Sequence, residues 1–171
     1  HIDKKIKYFD EDYFRNSATR SSLKFYREFE VYWGGFSQVQ VEMLLLKQAY
    51  ENGYDYYHII SGADLPLKNN EEIDSFFEKN KGKEFILYDE DALKGNPEIS
   101  RRAKYYHFLQ NYRRRFAEKW KNNFFTFCER VSLVLQIIFG VNRVKNLDWQ
   151  IKYGSNWVSI TDELVKVILV N

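Results

Sequence analysis

The sequence has few of the residues on which small cross-linked or metal-bound domains depend. Cys128 is the single cysteine among 171 residues, and there are only two prolines and three histidines. One cysteine excludes a disulfide framework and a cysteine-based zinc finger. An excess of one charge is also absent, because 26 Lys and Arg oppose 24 Asp and Glu. A net charge of +2 argues against a polybasic nucleic-acid binder, so we expect no nucleic-acid partner.

The short motifs of common enzyme classes are missing as well. The sequence contains no GxGxxG, GxxxxGK[ST], HExxH or GxSxG pattern. Asp10-Glu11-Asp12 and Asp89-Glu90-Asp91 satisfy the loose D-x-D pattern that can hold a divalent metal. Acidic triplets are also common on solvated surfaces. We therefore expect no metal site and no cofactor.

Aromatic and other apolar residues are plentiful, at 18% and 44% of the chain, respectively, the second figure including the first. This composition can bury a core, and the length suits one domain. The sequence begins in a strand-like His-Ile-Asp and ends inside an apolar run, which we interpret as part of a longer protein. Within a single domain spanning 1–171, we distinguish three parts: 1–88, 89–153 and 154–171.

Periodicity predicts an α/β fold. Apolar residues alternate over 25–33 and cluster over 54–60 and 84–88, which is typical of strands, and helical spacing recurs over 37–52 and 71–80. Strands and helices that alternate along a chain favour a largely parallel sheet. Beyond this part, we expect a polar loop at 89–101, a strand at 104–109, a helix at 113–139, a strand at 157–160 and a helix at 162–170. The expected N-cap is Ser37 for the helix at 37–52, Asn69 or Asn70 for the helix at 71–80 and Thr161 for the last helix.

The segment 101–152 is strongly basic, with twelve Lys and Arg against three acids. Its predicted helix, 113–139, carries an aromatic and aliphatic stripe at three- and four-residue steps. Such a helix can pack on the sheet as core, or it can lie on an anionic membrane surface. The sequence leaves both alternatives open, although no stretch is long and apolar enough for a confident membrane span.

Three polar groups lie at the carboxyl ends of predicted strands. They are Asp3, the turn Trp33-Gly34-Gly35, and Ser61-Gly62-Ala63-Asp64. In open α/β sheets, ligands bind beyond the carboxyl ends of strands, where small residues allow a close approach. The carboxylate of Asp3 can accept hydrogen bonds from a uracil N–H or ribose hydroxyls. Alternatively, Asp3 can be a turn or capping residue, and Asp64 can close an Asx turn before Pro66.

Four motifs in order resemble one family. They are H-I-D-K-K at 1–5, V-Y-W-G-G-F-S-Q-V at 31–39, Y-Y-H-I-I-S-G-A-D-L-P-L at 56–67 and G-S-N-W-V-S-I-T at 154–161. Together they resemble the core-2/I-branching β-1,6-N-acetylglucosaminyltransferases and the related peptide O-xylosyltransferases, in what looks like a bacterial version. The resemblance covers nearly the whole chain and is weakest over about 89–150.

The resemblance implies a GT-A-like nucleotide-sugar fold and an inverting transfer from a UDP-sugar that needs no metal. By position, Asp3 would contact the uridine, Trp33, Gly34 and Gly35 would shape the donor pocket, and Ser61, Gly62 and Asp64 would approach the donor sugar. The acceptor side would comprise two groups. These are Arg101, Arg102, Lys104, Tyr105 and Tyr106 in the basic segment, and Ser155, Asn156 and Trp157 near the start of the last motif.

The family's general base lies beyond the last motif, so we expect it after Asn171 and expect residues 1–171 alone to be inactive. Glu163 comes too early to take that role. The resemblance implies transfer of N-acetylglucosamine or a xylose-like sugar to a glycan, including a lipid-linked one, in cell-surface polysaccharide synthesis. The corresponding location is the cytoplasm or the inner face of the cell membrane. A non-catalytic module that binds carbohydrate or anionic lipid is the alternative.

Overall fold

The computed structural model describes residues 1–112, 116–148 and 150–170. The helices and strands of this part alternate irregularly along the chain. The helices are α1 Glu11–Ser17, α2 Ser37–Tyr50, α3 Asn70–Lys79, α4 Ala92–Gly95, α5 Pro97–Lys104, α6 Lys119–Ile138 and α7 Asp162–Val170. The strands are β1 Tyr56–Ile59, β2 Phe85–Asp89 and β3 Tyr153–Thr161. The α/β class expected from the sequence is confirmed.

The three strands form one sheet in the order β1-β3-β2. Both outer strands pair antiparallel with β3, with Tyr57 opposite Ile160 and Phe85 opposite Ser159. The prediction of a largely parallel sheet is therefore wrong for these strands. The outer strands do run in the same direction, but the nine-residue β3 lies between them. The sequence analysis predicted only residues 157–160 of β3 as a strand, and so short a segment did not suggest a central strand.

The first residues of the chain contact the segment that precedes α2. The backbone amide of Ile2 donates to the carbonyl of Tyr26 at 2.8 Å, and that of Lys4 donates to the carbonyl of Phe29 at 3.0 Å. Both bonds advance in the same direction along the two segments, as in a parallel pair. Residues 25–33 nevertheless form no regular strand, so the strand predicted there is wrong.

Local polar groups explain where several helices begin. The side chain of Asn69 accepts a hydrogen bond from the amide of Glu72 and caps α3, as the sequence predicted. Ser37 is the first residue of α2 rather than its cap, and its hydroxyl accepts instead from the amide of Tyr32 at 3.0 Å. Thr161 Oγ1 accepts from the amide of Leu164 at 3.3 Å, which confirms the predicted cap of α7.

The basic segment departs most from the sequence predictions. Helices α4 and α5 occupy the region expected to be a loop, because Asn96 caps α5 and Pro97 fits its first turn. Residues 104–109 form no strand. The helix expected over 113–139 is α6, which begins at Lys119, and the predicted start at 113–115 lies outside the described residues.

The core is small and lies where α2 and α7 meet the sheet. Leu46, Tyr57, Ile160 and Val165 are its buried apolar residues. The Tyr57 hydroxyl donates to Asp162 Oδ1 at 3.1 Å and accepts from the amide of Tyr54 at 3.3 Å. Burial, followed by the hydrogen bond to the Asp162 carboxylate, raises the pKa of Tyr57 above its usual value.

A carboxylate fixes the end of the central strand. Glu84 accepts a hydrogen bond from the Thr161 amide at 2.9 Å through one oxygen and binds the Thr161 hydroxyl through the other. Since Thr161 also caps α7, this contact sets where β3 ends and the last helix begins.

Of the helices in the described part of the chain, none has the length and apolarity needed to cross a bilayer.

Replacing Gly154 with alanine is expected to destabilise the sheet. A Cβ atom there would lie 2.6 Å from the Leu87 carbonyl oxygen, a backbone atom that cannot move independently of β2. We expect Gly154→Ala to lower the free energy of unfolding by about 1–3 kcal/mol, as for other overpacked sites. Urea denaturation measures this. Gly95→Ala is the matched control, because a Cβ at Gly95 meets nothing within 4 Å; equal losses in the two variants would contradict the prediction.

Replacing Tyr57 with phenylalanine is expected to cost about 1 kcal/mol, because Asp162 and the Tyr54 amide each lose a partner. The raised pKa means that the folded chain holds the phenol proton more tightly than the unfolded chain does. The contribution is therefore complete below pH 10.0, the usual value, and is lost as the pH rises through the higher folded value. Denaturation of wild type and Tyr57→Phe at pH 8 and at alkaline pH, about 10 to 11, tests this. A stability difference that grows with pH would contradict it.

Candidate functional site

Asp3 belongs to a small polar cluster with Lys5. Asp3 Oδ1 accepts from the Lys5 amide at 2.9 Å, and its other oxygen lies 3.4 Å from the Lys5 ammonium. The same ammonium donates to the Val31 carbonyl at 2.6 Å and lies 4.3 Å from the centroid of the Tyr32 ring. Lys5 thus brings Asp3 beside the residues that immediately precede the Trp33-Gly34-Gly35 turn.

The Trp33-Gly34-Gly35 turn is held by backbone and glutamine contacts. The Gly35 amide donates to the Tyr32 carbonyl at 2.9 Å, and Gly34 has a φ of 71°, which favours glycine. The Gly34 amide donates to Gln38 Oε1, and its carbonyl accepts from Gln110 Nε2, both at 2.9 Å. Gln110 therefore ties the predicted donor turn to the basic segment. Trp33 is largely exposed.

The Ser61–Asp64 segment forms a closed turn after β1. Asp64 Oδ2 accepts from the Ser61 amide at 2.6 Å, and the Asp64 amide donates to the Ser61 carbonyl at 3.1 Å. The expected Asx turn at Asp64 is therefore wrong, because the carboxylate bonds an amide three residues earlier and Pro66, two residues later, has no N–H to donate. The turn is open to solvent, because a Cβ placed on Gly62 would meet no atom within 4 Å. Asp64 and Gly62 remain accessible to a ligand.

The predicted donor residues form two groups rather than one enclosed pocket. Within the described ranges, no hydrogen bond or ion pair joins Asp3 to the Ser61–Asp64 turn. A cavity of about 380 Å³ lies between α2 and β1, lined in part by Glu42, Tyr57 and His58. A larger apolar groove of about 740 Å³ lies between α2 and α7. Neither cavity is lined by Asp3 or by Asp64.

The predicted acceptor residues of β3 lie near its start. Ser155 Oγ accepts from the Trp157 amide at 3.0 Å, and Asn156 Nδ2 donates to Glu42 Oε1 on α2 at 3.2 Å. The side chain of Trp157 is 57% exposed, which leaves a ring face available. Since α2 directly follows the Trp33-Gly34-Gly35 turn, Glu42 connects the predicted acceptor strand with the donor side.

The remaining predicted acceptor residues lie at the end of α5 and just after it. The Lys104 carbonyl accepts from the Arg143 amide at 3.0 Å, and the Arg143 guanidinium lies 4.9 Å from the Tyr106 ring centroid and 3.4 Å from the Tyr105 carbonyl oxygen. Arg101 and Arg102 are exposed, and Arg102 pairs with Glu98 one helical turn earlier. Among the described residues, no hydrogen bond or ion pair joins this group directly to Ser155–Trp157.

Three residues with connecting roles were missed by the sequence predictions: Lys5, Glu42 and Gln110. Each bonds to a residue far away along the chain, 26, 114 and 76 positions distant, respectively. A polar residue within a helical apolar pattern, such as Glu42, could have been noticed. The partner of each could not, because it depends on how distant segments approach one another.

Residues of both acidic triplets form hydrogen bonds with other groups of the chain. Asp10 caps α1 by accepting from the Tyr13 amide, and Asp89 accepts from the Asp91 amide. The hydrogen bond from Lys152 at 2.9 Å holds the pKa of the Glu90 carboxyl below its usual value. Throughout 1–112, 116–148 and 150–170, no three His, Cys, Asp or Glu side chains converge as they would around a metal ion.

Substituting Gly34 tests whether the donor turn depends on Gln110. The positive φ alone should cost Gly34→Ala about 1–2 kcal/mol of folding stability. A Cβ would also lie 3.0 Å from Gln110 Nε2 and displace its hydrogen bond, which adds about 0.5–1.5 kcal/mol. Gly53→Ala is the matched control, with a φ of 66° and no neighbour within 4 Å. Chemical denaturation should show the larger loss for Gly34→Ala, and the excess should vanish when Gln110 is also alanine; equal losses would argue against the contact.

Comparison with known proteins supports the resemblance found in the sequence. The family model described as Core-2/I-Branching enzyme matches residues 1–171. A search of the curated proteins found no match, and a search of the solved structures found none either. The match extends over all four motifs and over the basic segment between them. The chain therefore belongs to the Core-2/I-branching enzyme family, and this membership implies glycosyltransferase activity.

Proposed function

We propose that the chain binds a UDP-sugar and takes part in an inverting transfer of that sugar to a hydroxyl group of a glycan. The donated sugar would be N-acetylglucosamine or a xylose-like sugar, and the acceptor a glycan or lipid-linked glycan of cell-surface polysaccharide synthesis. Family membership supports the reaction class. The identity of the donor and acceptor is what the family resemblance implies, and the residues below are those that we assign to binding them.

The observation that most directly supports this proposal is the contact between Asp3, Lys5 and the residues before Trp33. Lys5 neutralises part of the Asp3 charge and holds the carboxylate next to the turn. A carboxylate oxygen has two lone pairs, so Asp3 Oδ1 can still accept while bound to the Lys5 amide. We assign Asp3 to the uracil N–H or the ribose hydroxyls of the donor.

The Ser61–Asp64 turn has the chemistry to hold the donor sugar. Asp64 Oδ2 is engaged by the Ser61 amide, whereas Oδ1 has no hydrogen bond to any residue that the structure describes. That oxygen can accept from sugar hydroxyls, and the open space at Gly62 allows a sugar ring to approach the backbone.

On the acceptor side, the exposed ring of Trp157 offers a flat apolar surface for the face of a sugar. Asn156, oriented by Glu42, can present its amide oxygen to an acceptor hydroxyl beside that ring. Arg101, Arg102, Lys104, Tyr105 and Tyr106 would contact further parts of the acceptor. This assignment places the acceptor at the start of β3.

The chemical step in such an enzyme is a single displacement. A carboxylate removes the proton from the acceptor hydroxyl, whose oxygen attacks the anomeric carbon while UDP leaves with the bonding electrons. We propose no general base within residues 1–171, since Glu163 lies in the first turn of α7. We also propose that fixed positive charge, rather than a divalent metal, stabilises the leaving diphosphate.

Nucleotide titration tests the donor assignment. UDP should bind the chain, and Asp3→Asn should weaken the affinity by about 5- to 150-fold, the equivalent of about 1–3 kcal/mol for an unmatched polar partner. Asp12→Asn, an equal change of charge at an exposed position on α1, should leave binding unchanged. EDTA should have no effect on the wild-type titration.

Comparison with CDP sharpens this experiment, because cytosine has an acceptor where uracil has its ring N–H. Wild type should prefer UDP to CDP, and Asp3→Asn should reduce or reverse that preference, since its amide can donate to cytosine. An undetectable affinity of the wild type for UDP would overturn the proposed donor. An unchanged UDP affinity in Asp3→Asn would overturn the role of Asp3 alone, whereas a weaker affinity with the same preference would assign Asp3 to the ribose hydroxyls rather than to the uracil N–H.

A further inference from the structure

Helix α6 presents its polar side to the protein. Glu129 is 2% exposed, and its carboxylate accepts from the Leu109 amide at 3.1 Å and bonds to His107 Nδ1 at 2.9 Å. Gln136 lies two turns later on the same face of the helix. Its side chain accepts from the Tyr106 amide at 2.8 Å and donates to the Tyr106 carbonyl at 3.0 Å. These four hydrogen bonds fix which side of the helix faces inward.

The opposite side of α6 is apolar and exposed. At about 100° per residue, Val131 lies about 160° around the helix from Glu129. It belongs to a set of seven exposed residues that we call the apolar face: Trp120, Phe124, Phe127, Val131, Val134, Leu135 and Ile138. The exposed fractions of Trp120 and Ile138 are 67% and 69%. The stripe is therefore not packed on the sheet, and an apolar surface of this length marks a site of interaction.

The charge around the apolar face is positive. Lys119 and Arg130 lie along one edge and Lys121 along the other, whereas Glu129, the single acid in the sequence of α6, points inward. Glu118, next to the helix start, is paired with Lys121 at 2.7 Å. The whole segment 101–152 has twelve Lys and Arg against three acids. Its partner should therefore combine an apolar layer with negative charge.

We propose that the apolar face of α6 docks on the surface of an anionic lipid bilayer, with its axis parallel to the membrane plane. Aromatic and aliphatic side chains would enter the boundary between headgroups and acyl chains, and the basic edges would contact lipid phosphates. A second copy of the chain fits less well, because it would bring two positively charged edges together. The proposal goes beyond the proposed function and does not depend on UDP binding.

Co-sedimentation of the chain with phosphatidylcholine vesicles, with and without phosphatidylglycerol, tests the proposal. We expect binding to the anionic vesicles at an ionic strength of about 0.01 M. Binding should weaken strongly near 1 M, where the screening length falls from about 30 Å to about 3 Å. Neutral vesicles should retain much less protein at either salt concentration.

Two variants distinguish vesicle binding through the apolar face from nonspecific adsorption. Val131→Glu places a charge at the centre of the apolar face and should reduce binding about tenfold or more. Val39→Glu is the matched control, because Val39 is also a helical valine, 45% exposed against 42% for Val131. It should bind vesicles like wild type. Circular dichroism checks that both variants fold.

Lipids with brominated acyl chains provide a second measurement, because they quench tryptophans that reach the acyl region. The quenching should be largely lost in Trp120→Phe while that variant still sediments with vesicles. The proposal is overturned if wild type does not bind anionic vesicles at low salt, or if Val131→Glu binds as well as Val39→Glu. It is also overturned if light scattering shows a dimer that Val131→Glu dissociates, since the apolar face would then belong to a second copy.

Discussion

The pairing of β3 with both β1 and β2 is the constraint on which the rest of the described structure depends. The outer strands do not pair with each other, so the sheet exists only because Tyr153–Thr161 lies between them. Glu84 fixes the end of this strand through the Thr161 amide and hydroxyl, and Tyr57 contacts Asp162 immediately beyond it. The same register sets the start of β3, where the proposed acceptor residues lie.

Long side chains then connect segments that lie far apart along the chain. Glu42 joins α2 to Asn156, Gln110 joins the basic segment to Gly34, and Lys5 joins the first residues to Val31. Each contact is a single exposed or half-buried hydrogen bond, worth about 0.5–1.5 kcal/mol. Such contacts orient the predicted donor and acceptor groups without fusing them into one rigid pocket.

The orientation of α6 is opposite to the one that is usual for an amphipathic helix. A helix on a globular protein normally turns its apolar residues inward, whereas α6 buries Glu129 and Gln136 and exposes Trp120, Phe124 and Phe127. Buried polar groups are stable only when hydrogen-bonded, and here the backbone of 106–109 supplies the partners. The polar loop thus decides the orientation of the helix.

The sequence by itself determined the family, the α/β class, and most local elements whose signals are short-range. The Asn69 cap of α3, the Thr161 cap of α7 and the apolar periodicity of α2 are examples. The four motifs identified the family, which the family match over 1–171 confirms, whereas the candidate donor and acceptor residues stay predictions. The tertiary structure alone decided the antiparallel pairing and the extent of β3, because strand pairing depends on contacts between residues far apart in the chain. It also decided which face of α6 is exposed, since periodicity defines a stripe but not the surface against which it packs.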